Sequence, residues 1–105
     1  MEKEHFKDRP EQSRKLISIE YCMKYKIPVL ICIKPMQPSA KDLSDLTMGY
    51  ITKILTKHDH PRGIKCIVSQ PSNGLLFTGR VVYIVKDGWI LTDDGWKRPN
   101  DVNKK

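Results

Sequence analysis

The sequence predicts a mainly β chain: a small SH3-like barrel of five to six short antiparallel strands, preceded by an N-terminal helical or irregular segment. Short apolar segments recur at intervals of about ten residues from Val29 onward, the spacing of small barrels and sandwiches. Turn dipeptides separate the later ones, with Asn73-Gly74, Asp87-Gly88 and Asp94-Gly95 each suited to a tight reversal. The segments also carry apolar residues on both faces, as strongly curved strands do. At 105 residues there is room for one modest core. We therefore read a single barrel domain over 28–98, an extension over 1–27 and a polar tail over 99–105.

Met1 to Gln12 shows no periodicity and reads as a lead-in. Ser13 to Lys26 fits two patterns. Leu16, Ile19, Met23 and Ile27 share one helical face with Ser13 as a cap, while Ile17, Ile19, Tyr21, Met23 and Tyr25 alternate as a strand would. Helix over 13–26 is preferred, because Pro28 then closes it and holds Ile27 extended. Val29 to Lys34 is the first strand. Lys34 to Asp45, with Pro35, Pro38 and several serines, reads as a long binding-type loop. Met48 to Thr56 is the second strand, with Met48, Tyr50, Thr52, Ile54 and Thr56 on one face and Ile51, Lys53 and Leu55 on the other. After a turn over Lys57 to Arg62, Gly63 supplies backbone freedom and Ile64 to Ser69 follows as the third strand. Leu75 to Val85 is the fourth, with Gly79 expected to mark a bulge or bend. Trp89 to Thr92 and Trp96 to Arg98 complete the set.

Composition narrows the class. Hydrophobic residues make up 39% and charged residues 30%, too apolar for a disordered chain. No apolar run approaches the ~18 residues of a membrane span, and the polar N-terminus lacks a secretory core, so a cytoplasmic protein without a membrane partner is expected. Cys22, Cys32 and Cys66 are odd in number and widely spaced, which suits buried reduced thiols better than a zinc or redox site.

The net charge of +7 is unevenly placed. Between residues 46 and 86, Lys53, Lys57, Arg62, Lys65, Arg80 and Lys86 face only Asp59. Such a field favours a polyanion. Lys53, Lys57, His60, Arg62, Lys65 and Arg80 are the candidate nucleic-acid-binding residues, and contacts of this kind go to phosphates with little sequence preference. Among the aromatics, Phe77 and Tyr83 are expected inside, whereas Tyr50 and Trp89 are surface candidates for stacking on bases. His58 and His60, with Asp59 and His5 as the only further ligands, fall short of a convincing metal site. No metal or cofactor is expected. There is no Gly-rich phosphate loop, G-x-S-x-G or H-E-x-x-H motif, and Asp93-Asp94 suits a turn better than an acid/base pair. An enzyme is not expected.

The pieces Val29 to Lys34, Leu46-Thr47, Gly49, Ile54-Leu55-Thr56, His60-Pro61, Gly63-Ile64-Lys65 and Gly79-Arg80-Val81 occur in order and near the spacings of the YwbE-like family of small uncharacterised proteins. The chain resembles that family over roughly residues 28–85. It departs from it in the segment before Pro28, the longer Gln70 to Phe77 stretch and the aromatic tail after Lys86. The resemblance implies a barrel akin to KOW modules of translation and transcription proteins and brings no established activity. From residues and resemblance together, the expected function is a non-enzymatic RNA-binding module, RNA favoured over DNA, in a translation- or ribosome-related setting. The alternative is a protein-interaction adaptor or self-associating module without nucleic acid.

Overall fold

The computed structural model describes residues 10–33, 43 and 46–103. Six strands form one antiparallel sheet: β1 (Val29–Cys32), β2 (Thr47–Ile54), β3 (Lys65–Ser69), β4 (Leu76–Lys86), β5 (Trp89–Thr92) and β6 (Gly95–Lys97). They lie in sequence order, and β1 also pairs with β4, so the first four close into a barrel. The second half of β4 runs on beyond the closure and carries β5 and β6 as an extension. Two helices precede the barrel, α1 (Glu11–Arg14) and α2 (Leu16–Lys24), and a short one ends it, α3 (Pro99–Asn103). Residues 34–42, 44 and 45 of the expected long loop, and His5, lie outside the described residues. The expected polar tail instead begins with α3, where Pro99 takes the first helical position, which a residue without an N–H fills at no cost.

Local chemistry explains the turns. Asp87 and Gly88 have φ of 54° and 84°, the pair of left-handed residues that a two-residue hairpin needs to match strand twist. In the 70–75 turn, Gln70 accepts from Gly74 N–H at 2.7 Å, and the Asn73 side chain accepts from Leu75 N–H at 3.0 Å.

The core is aliphatic. Val29, Ile31, Ile51, Ile64, Cys66, Val68, Val81 and Ile84 point inward, with Ile19 and Cys22 of α2 sealing one end. Phe77 packs against this cluster as expected. Tyr83 does not. It pairs with Leu30 on the outer face of β1 and β4 and is half-buried against Cys32 and Val82. Simple alternation also fails in β2, because the register slips between Ile51 and Lys53. Ile51 and Ile54 therefore both reach the core side, while Met48, Tyr50 and Lys53 lie outside.

A second slip falls between Leu30 and Ile31, leaving Val82 of β4 without a partner on β1. The bulge is thus at Val82 rather than Gly79. Gly79 is instead a point of close approach, where an added Cβ would lie 2.4 Å from the Cys32 carbonyl oxygen.

The N-terminal segment is helical, as preferred from the sequence, but in two pieces, and it is stitched to the barrel by long-range bonds. Leu16, Ile19, Cys22 and Ile27 pack on the core, while Met23 is 38% exposed. Neither helix has a side-chain hydrogen bond from its own N-cap residue, Pro10 or Lys15. Asp93 of the β5–β6 turn accepts from Glu11 N–H at 2.7 Å, and Asp59 accepts from Leu16 N–H at 2.8 Å. Each supplies the acceptor that a local N-cap would otherwise provide. Ser13, read from sequence as the cap, is buried and donates its hydroxyl to the Val82 carbonyl at the bulge, 2.7 Å away. Ser13→Ala leaves that buried carbonyl unsatisfied and is expected to cost about 1–3 kcal/mol. The check is a lowered urea midpoint with an unchanged slope.

Candidate nucleic-acid interface

The connection from β2 to β3 is held by backbone bonds on both sides. His60 N–H donates to Arg14 O at 2.9 Å, Ile64 N–H to Ser13 O at 3.0 Å, and Leu55 N–H to Lys65 O at 2.8 Å. Within it, Gly63 N–H closes a tight turn onto His60 O at 3.0 Å. The cations at its end are therefore carried on anchored backbone.

Lys65, the first residue of β3, stands directly opposite Arg80 of β4, so both side chains share the outer face of the sheet. Arg80 donates from Nη1 to Gly63 O at 3.0 Å, which fixes its guanidinium beside the loop. Its pKa is lowered by partial burial first and by the field of Arg62 second. Lys53 pairs with Ile67, two residues along β3 from Lys65, and takes the diagonal position on the same face. Like charges directly opposite one another oppose strand pairing. At this pair the Arg80 guanidinium is turned onto Gly63 O, and the charge that acts on it is Arg62. Lys57 is exposed beyond the end of β2 and lines a cleft with Lys53 and Glu20 of α2, apart from Arg80. The Lys97–Asp94 ion pair lies elsewhere, whereas the Lys15–Glu11 pair lines a cleft with His60 and Asp59.

His60 accepts from Arg62 N–H through Nδ1 at 3.1 Å, which requires the neutral ring. Its pKa is lowered by desolvation first and then by Arg80, Arg62 and His58. The folded value therefore lies below that of the unfolded chain, so the unfolded state takes up the proton first and stability falls as pH drops below the ordinary histidine value of 6.5. His60→Asn keeps an acceptor for Arg62 and removes the titration. We expect melting temperature to fall between about pH 7.5 and 5.5 in the wild type and by less in the variant.

The other histidine and its neighbour are occupied by backbone. His58 Nδ1 faces the Asp59 carbonyl at 3.0 Å, and the Asp59 carboxylate caps α2. Among the described residues no three His, Cys, Asp or Glu side chains group as a metal site would. Cys22, Cys32 and Cys66 are buried and stand outside any disulfide, and burial pushes the Cys22 and Cys66 thiols up to about 11 and about 12. Among the described residues no helix is long and apolar enough to cross a membrane.

The two stacking candidates part company. Tyr50 is 40% exposed on the outer face of β2, opposite Ser69 and two register pairs from Lys53. Trp89 pairs with Lys86 at the far end of β4 and lies on the face continuous with Ile84 and the core, opposite to that of Arg80. The Arg98 guanidinium already covers its ring at 4.1 Å. The structure thus brings His60, Arg62 and Arg80 within reach of one another's charge and sets Lys65 opposite Arg80, while Lys53 shares a cleft with Lys57, Tyr50 lies further along the outer face of β2, and Trp89 is left out. Sequence reading missed Trp96 and Arg98, whose place follows from the β5–β6 register.

No protein-family model matches the chain, and no curated protein or solved structure matches it.

Proposed function

We propose that this chain is a cytoplasmic, non-enzymatic RNA-binding module that grips the phosphate backbone of a single strand with the outer face of β2, β3 and β4. The observation that carries this reading is the convergence of cations at Arg80, with Lys65 at the paired position on β3 and Arg62 close enough to lower the Arg80 pKa. A fold that needed only solubility gains nothing by setting two cations on paired positions, whereas a phosphate between them turns the repulsion into two attractions. Lys53 extends the track along β3, and Tyr50 offers an exposed ring to an unpaired base. The resemblance of residues 28–85 to YwbE-like proteins, and through them to barrels of translation proteins, supports RNA as the polyanion.

Fluorescence anisotropy with a labelled twelve-nucleotide RNA tests the reading. Four phosphate contacts, from Lys53, Arg62, Lys65 and Arg80, predict a log–log salt slope near about −3 and a loss of affinity of about 50-fold between 50 and 200 mM salt. A single-stranded DNA of the same sequence is expected to bind more weakly. A salt-independent signal, or none at 50 mM, would remove the proposal.

A further inference from the structure

A groove runs between α2 and the outermost strand β6, on the opposite face of the sheet from the cations described above. Its volume is about 390 Å³, and it is lined by Ile17, Tyr21, Ile84, Leu91 and Trp96, with Lys86 as its only charged lining residue. The floor follows from the register, since Ile84, Leu91 and Trp96 are paired side by side across β4, β5 and β6. The rim is unusually apolar for a surface, with Ile17 73%, Tyr21 57% and Trp96 45% exposed. Along the groove runs an edge. β6 ends the sheet and pairs with β5 alone, and among the described residues no backbone hydrogen bond reaches its other side. Alternate residues of an edge strand turn N–H and C=O groups outward, ready to pair with a further strand.

We propose that this groove binds an extended segment of a partner protein. The segment adds to β6 as a seventh strand, sets apolar side chains at alternate positions between α2 and Trp96, and places an acidic side chain against Lys86. The edge selects an extended backbone, and the period of two in a strand delivers every second side chain to the groove. Lys86, with Arg98 held over the adjoining Trp89, selects the acid. A second copy of this chain suits the groove poorly, because its β6 would bring Lys97 and Arg98 toward Lys86. A nucleic-acid strand suits it poorly as well, since Lys86 is the only charged residue of the lining to meet a phosphate backbone and one face of the adjoining Trp89 is already covered.

The test is selection of a phage-displayed random dodecapeptide library on the full chain, with Ile17→Asp as the counter-selection target. That variant changes an exposed side chain and leaves the core intact. Enriched peptides are expected to carry apolar residues two apart and an acidic residue. A synthetic version should shift the amides of residues 95–97 and of α2 while leaving residues 62–65 and 80 in place. Lys86→Glu should weaken it by about tenfold, and a lysine in place of the peptide's acid should restore binding. The proposal fails if no peptide is enriched over the Ile17→Asp chain, or if the enriched peptides shift other surfaces. It also fails if the groove amides respond to single-stranded RNA instead of peptide, or to protein concentration alone. The peptide outcomes do not bear on RNA binding at Lys65 and Arg80, whereas an RNA response confined to the groove amides would count against that face as well.

Discussion

Replacing Gly63 by alanine is expected to cost at least about 3 kcal/mol, lowering the melting temperature by at least about 10 °C. Two effects add. Gly63 has φ +97°, where any side chain is strained, and its Cβ would lie 2.2 Å from the Val81 carbonyl oxygen, a backbone atom that cannot swing aside. Val81 is fully buried and its N–H is bound to Ile64 O at 2.9 Å, so relief would require opening β4 from the loop. Gly74 is the control. It also has positive φ, +71°, but nothing lies within 4 Å of its would-be Cβ. Gly74→Ala therefore reports the conformational cost alone, about 1 kcal/mol. Thermal melts followed by circular dichroism separate the two, and equal losses would show that the close approach at Val81 is not real. Because Gly63 O also receives the Arg80 guanidinium, milder changes at this turn should loosen the cationic face as well.

The second large effect has opposite signs in binding and in stability. In the double variant Lys53→Glu, Lys65→Glu, two phosphate contacts become two repulsions, and RNA affinity at 50 mM salt should fall by roughly 100-fold. The fold should gain. Lys65→Glu turns the like-charged pair with Arg80 into an attractive one, worth about 0.5 kcal/mol on an exposed sheet face, which raises the melting temperature by a few degrees. A loss of affinity accompanied by loss of stability would point to damage rather than to a binding face. Unchanged affinity would exclude Lys53 and Lys65 from the contact.

Much of this architecture is written locally. Asp87-Gly88 and Asn73-Gly74 specify their turns by backbone freedom alone, and the strands between them were legible to within a residue or two. Apart from α3, whose Pro99 is a local signal, the features that escaped the sequence reading depend on partners distant in the chain. Ser13 reads as a helix cap until β4 brings the Val82 carbonyl to it from 69 positions away, and α2 is capped by Asp59 from 43 positions away. Bulges at Thr52 and Val82 break the period-two pattern, the first moving Lys53 to the face of Tyr50 and the second turning Tyr83 away from the core where a large side chain was expected, and no local signal marks either. The cations themselves were visible as composition. That Lys65 meets Arg80, while Trp89 turns to the other face, is a property of register.

Titration of isotope-labelled chain with a short single-stranded RNA, followed by backbone amide shifts at low and moderate salt, tests the proposed function most directly. The account predicts salt-sensitive shifts concentrated at Lys53, Arg62 to Lys65 and Arg80, with smaller ones at Tyr50. Absence of shifts at low salt, or shifts confined to β5 and β6, would contradict it.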